Sequence, residues 1–145
     1  MNLSVNVRTK ILKYFAQKPT VTAVYLYGSQ ATGEATSKSD IDLAVVASDY
    51  NASAGLDIPQ ITFAQELSAQ IGKKIEVQNL KDCSVNFSHR VITEGKLLLV
   101  NDERARVKFE ERLMNLYFDL KPALDEYFEE LSQIARRGDL HVRYT

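Results

Sequence analysis

The spacing of apolar residues divides the chain into segments of alternating helical and extended period. Val7, Ile11, Leu12 and Phe15 recur at helical spacing behind Ser4, which predicts a capped helix running to about Gln17, with Pro19 beyond its end. Val21 to Tyr27 is β-branched and aromatic, which predicts a strand broken by Gly28-Ser29. A short helix is expected from Ser29 to Ala35, then a second strand from Ile41 to Ala47 and a polar loop from Ser48 to Gly55. Asp57-Ile58-Pro59 opens a further helix, which Gly72 ends after about Ile71. Lys74 to Leu80 is a third strand, Ser84 to Gly95 brackets another helix, and Lys96 to Val100 is a short apolar extended segment.

From Asp102 the pattern becomes that of an amphipathic helix, long or kinked at Pro122 and frayed after Gly138. Its apolar positions include Val107, Leu113, Leu116, Leu120, Leu124, Phe128 and Leu131. Its start is expected to cover the sheet, and the stretch from Tyr127 onward to present a partner surface. Short strands alternating with helices predict an α/β (α+β) class: a short mixed β-sheet flanked by helices, with a C-terminal amphipathic helical segment. A chain of 145 residues reads as a single domain, with residues 1–100 as its catalytic core and 101–145 as the helical segment.

Composition narrows the function classes. The net charge of −1 gives no support to a protein held on nucleic acid by bulk charge. A single cysteine, Cys83, excludes an internal disulfide framework, and two histidines, His89 and His141, are too few for a histidine metal cluster. No apolar run reaches the roughly 20 residues of a membrane helix, and no apolar signal core follows Met1 to Lys10. A cytoplasmic protein without membrane contact is therefore expected.

The chemistry concentrates in one passage, from Gly28-Ser29 to Asp40-Ile41-Asp42. Glycine lets backbone approach a phosphate closely, and Ser29 adds a hydroxyl donor beside it. Residues two apart on a strand share a face, so Asp40 and Asp42 converge while Ile41 and Leu43 enter the core. Paired carboxylates make a hard oxygen site suited to Mg²⁺ and the phosphate oxygens it takes. A phosphate cradle beside such a site is equipment for phosphoryl or nucleotidyl transfer.

Gly28-Ser29, the ten residues Gln30 to Ser39, and Asp40-Ile41-Asp42 resemble the G-S-x(10)-D-x-D signature of the nucleotidyltransferase superfamily that includes DNA polymerase beta. The short chain and the run Phe109 to Leu113 through Tyr117 to Pro122 resemble, more narrowly, the MntA family of minimal nucleotidyltransferases. The resemblance implies an antitoxin that transfers AMP from ATP, with Mg²⁺, to a tyrosine of a HEPN-domain toxin ribonuclease, HepT, forming a hetero-oligomer with it. It implies Gly28, Ser29 and Ser39 at the nucleotide, and Asp40 and Asp42 at the metal.

A third carboxylate, usually Asp, is implied on a later strand, where Glu76 stands; it would hold metal and take the proton of the attacking hydroxyl. Asp82 is a weaker substitute. An arginine common in the related loops is replaced by Thr32, which leaves phosphate charge to the metal, to backbone amides and to Lys38, Lys73, Lys74 or Arg90, among which the sequence does not choose. Two further readings compete with the enzyme: a non-catalytic antitoxin that occludes the toxin by binding, and a transferase acting on a small molecule. His89, Cys83, Tyr25 and Tyr27 read as packing or incidental residues.

Overall fold

The computed structural model describes residues 3–33, 40–48 and 58–138. Four strands, β1 (Val21–Tyr27), β2 (Ile41–Ala47), β3 (Ile75–Asn79) and β4 (Lys96–Val100), form one sheet in the order β3-β2-β1-β4. The β1 strand is antiparallel to both β2 and β4, and β2 runs parallel to β3, so the sheet is mixed as expected. Five helices accompany it: α1 (Val5–Ala16), α2 (Ser29–Thr32), α3 (Pro59–Ile71), α4 (Val85–Glu94) and α5 (Glu103–Arg136).

Local chemistry sets most boundaries. The hydroxyl of Ser4 accepts from the Val7 amide at 3.2 Å, and that of Ser84 accepts from the Phe87 amide at 3.1 Å, so both serines are helix caps. Pro59 occupies the first turn of α3, where its missing N–H costs nothing. The helix expected to reach Ala35 instead closes at Thr32, because Gly33 takes a left-handed conformation and its amide bonds back to Ser29. Residues 34 and 35 lie outside the described residues, as do the loop expected after Ser48 and the Asp57 start of α3.

The sheet buries both faces. On one, Val24 and Leu26 of β1, Ile41, Leu43 and Val45 of β2, and Ile75 of β3 pack against Phe15 of α1 and Leu67 of α3. On the other, Ala23 and Tyr25 of β1 and Ala44 and Val46 of β2 pack under Val91 of α4 and Phe109 of α5. The alternation of each strand therefore decides which side chains meet α4 and α5.

The helix α5 runs through Pro122 without ending. The proline has no N–H to offer the Phe118 carbonyl, and it falls in an exposed stretch of the helix. The N-terminal part of α5, as far as Tyr117, is bound into the domain. Leu113 is buried, whereas Leu116, Phe118, Leu120, Tyr127 and Phe128 are exposed. Beyond Tyr117, which still packs on α4, the helix is largely exposed, and that exposed stretch begins roughly three helical turns before Tyr127. Among the described residues no helix is long and apolar enough to cross a membrane.

Candidate active site

Three polar side chains form a row across three strands. Tyr27 of β1 pairs in register with Asp42 of β2, and Asp42 pairs with Glu76 of β3. All three leave the face that holds Ile41, Leu43, Ile75 and Val77, and so lie on the α4 side of the sheet. Burial pushes the Asp42 carboxyl above its ordinary value, and the negative charges of Glu76 and Asp40 and a hydrogen bond with Glu76 push it further. Burial, then Asp42 and Glu76, raise the Tyr27 hydroxyl to about 12. The sheet edge has concentrated like charge in a half-buried place.

Asp40 precedes β2, and its carboxylate lies 3.7 Å from the Lys74 ammonium, which also lies 3.5 Å from Glu76. Asp40, Asp42 and Glu76 therefore lie around one region, with Lys74 as their counter-ion. As placed they fan around that lysine: among the described residues no three Asp, Glu, His or Cys side chains close on a single point. The donor set nevertheless fits magnesium, since all three are hard carboxylate oxygens and their crowding, which raises Asp42, is what a cation relieves.

Gly28 joins this carboxylate group to a cavity. Its φ is +73°, and a Cβ there would stand 2.5 Å from Asp42 Oδ2, so only glycine fits. Beyond it lies a cavity of ≈ 400 Å³, walled by Gly28, Ser29 and Thr32 on one side and by Phe87, Arg90 and Glu94 of α4 on the other. Gly95 ends α4 in close contact with β1, where a Cβ would meet Leu26 O at 2.8 Å. That contact fixes α4 over the Gly28 turn.

The remaining candidates separate cleanly. Ser39 and Lys38 lie outside the described residues. Asp82 sits exposed in a single 3₁₀ turn after β3, outside the cross-strand row. His89 stacks on Tyr117 of α5 with ring centroids 3.5 Å apart, so it joins two helices. The Cys83 thiol donates to Asn79 O at 3.2 Å and is pushed up by burial, which keeps it protonated and structural. Tyr25 is a packing residue, as expected, with its hydroxyl donating to Glu110 of α5 at 2.7 Å. Tyr27, expected as packing, does pack edge-on against Phe87 but also lines the cavity, and Arg90, one of four cations left open by the sequence, lines it too. The adjacency of Tyr27 to Gly28 was its only signal.

A mixed sheet whose second strand opens on Asp40-Ile41-Asp42 beside a Gly-Ser turn defines the class of nucleotidyltransferases. The family described as polymerase beta, nucleotidyltransferase, matches residues 9–104, and the chain belongs to that family. It is 29% identical over 135 residues to the protein adenylyltransferase MntA of Shewanella oneidensis, covering 90% of this chain and 94% of that one. It is also similar to the crystal structure of a toxin–antitoxin with AMP-PNP, at 25% identity and a TM-score of 0.72, covering 86% of this chain and 98% of that one. A crystal structure of the toxin–antitoxin MntA–HepT gives 25% identity and a TM-score of 0.57, covering 86% and 99%.

Proposed function

We propose that this chain is an antitoxin that transfers AMP from ATP to a tyrosine hydroxyl of a HEPN-domain toxin of the HepT kind. The observation that carries the reading is the row Tyr27–Asp42–Glu76 set against the Gly28 turn. The relatives' names, a protein adenylyltransferase and a toxin–antitoxin with AMP-PNP, support the substrate and the partner.

Asp40 and Asp42 are the residues to hold Mg²⁺, with Glu76 completing the set. Bound there, the ion supplies positive charge to the phosphates and offsets the crowding of carboxylates. Gly28 and Ser29 receive the phosphates by close backbone approach and a hydroxyl donor, and Ser39 joins them at the nucleotide. Glu76 accepts the proton of the incoming tyrosine hydroxyl. The hydroxyl oxygen then bonds to the α-phosphorus, the bond to the β-phosphate oxygen breaks, and pyrophosphate departs.

The exposed apolar side chains of α5 from Leu116 to Phe128 supply the surface that holds the toxin. That surface also supports the second reading, inhibition by occlusion alone. Co-expression of the toxin with an Asp40→Ala, Asp42→Ala chain separates them. Toxicity restored at equal antitoxin level supports transfer, and full neutralisation contradicts it.

A further inference from the structure

Nucleotide phosphates need positive charge near them, and Gly28 to Gly33 carries none. The structure sorts the other cations. Lys74 is committed to Asp40 and Glu76, and Lys73 does not line the cavity beside Gly28. Arg90 does line it, from the α4 wall that faces Ser29 and Thr32. It is the one cation among the described residues on that lining.

Its present partner is a weak one. Arg90 Nε lies 3.9 Å from Glu94 Oε2, one helical turn on, with both side chains about 70% exposed (70% and 71%). A pair of that kind contributes little, so a phosphate that offers two oxygens to the guanidinium fork displaces it readily. Geometry also sets which phosphates it meets. Gly28 abuts Asp42, so the reacting phosphorus belongs at the carboxylate end, and the phosphates beyond it run along Gly28 and Ser29 toward α4.

We propose that Arg90 leaves Glu94 to bind the phosphates that depart as pyrophosphate, supplying from α4 the charge that Thr32 does not. The proposal rests on the transferase reading above and names the residue that grips its leaving group. No bond to Arg90 forms or breaks; it acts by charge and hydrogen bonding in the ground state and as the leaving group develops charge.

Equilibrium binding of ATP and of AMP, each with Mg²⁺, to the full chain tests this. Arg90→Gln is expected to weaken ATP about tenfold or more while AMP changes less than about twofold, and Arg90→Lys is expected to fall between. Equal weakening of ATP and AMP places the arginine against the nucleoside and overturns the proposal, as does no change in either. Arg90 is exposed and supports no buried contact, so the melting temperature of each variant should match that of the parent. Should Arg90→Gln melt lower, the ATP-to-AMP ratio in Arg90→Lys decides on the same terms. If the unsubstituted chain binds neither nucleotide, the transferase reading itself fails, an outcome distinct from loss in the variant alone.

Discussion

Asp42 and Glu76 stand opposite each other across the parallel β2–β3 pair, within hydrogen-bonding reach and on the same face of the sheet. Two carboxylates in that relation repel when both are ionised, and Asp40 adds a third charge. The fold therefore carries a local cost at the place where chemistry is proposed.

That cost has a sign that can be measured. The folded-state carboxyl of Asp42 binds its proton more tightly than an unfolded one, so its ionised form destabilises the fold above the raised value. Asp42→Asn should melt roughly 2 °C higher than the parent at pH 8 without metal. The difference should shrink as pH falls through the raised value toward the ordinary carboxylate value. Thermal melts at pH 8 and near pH 4.5 check it, and a lower melt for Asp42→Asn at pH 8 would contradict the crowding.

Gly28→Ala should cost about 1 kcal/mol or more and abolish transfer, since its Cβ would drive into Asp42 Oδ2. Gly72→Ala is the control. Gly72 has φ +78° and nothing within 4 Å of where a Cβ would stand, so its substitution brings backbone strain without a clash. Melts and transfer assays on the two variants isolate the close approach; equal activity would show that the turn tolerates a side chain.

A polar contact holds α5 to the sheet beside the apolar packing of Phe109. Tyr25 donates to Glu110, which also takes Arg106 at 2.6 Å. Tyr25→Phe should cost about 1 kcal/mol, and Glu110→Ala more, because it leaves a buried hydroxyl without an acceptor. Urea unfolding of both variants measures the order, and the reverse order would mean that the hydroxyl is hydrated.

Much of this architecture is legible in the sequence, for reasons that can be named. The β1 and β2 strands begin and end where expected because β-branched runs there are bracketed by Gly28 and by charged or small residues. The helix caps Ser4 and Ser84 act within three residues of themselves, so local pattern suffices. The pairing of Asp42 with Glu76 depends on strand order, and the Tyr25–Glu110 bond spans 85 residues, so neither is written in any local pattern. Arg90 is ambiguous in sequence for the same reason: only the seating of α4 on Leu26 through Gly95 brings it to the cavity.

Glu76 tests the third carboxylate. Glu76→Gln should lower the transfer rate roughly 100-fold while leaving ATP affinity within a few-fold, as expected of a proton acceptor. Glu76→Asp should recover part of the rate, since the shorter chain keeps the charge but shifts it by roughly 1 Å. Single-turnover transfer beside ATP binding checks both. Full activity in Glu76→Gln would remove the residue from the chemistry.

The intact mass of the cognate HEPN-domain partner, after incubation with this chain, ATP and Mg²⁺, reads the proposed transfer itself. Adenylyl transfer predicts a gain of one or more adenylate masses with the parent chain and none with Asp40→Ala, Asp42→Ala. A partner that binds tightly and never changes mass, or one modified equally by the double variant, would contradict it.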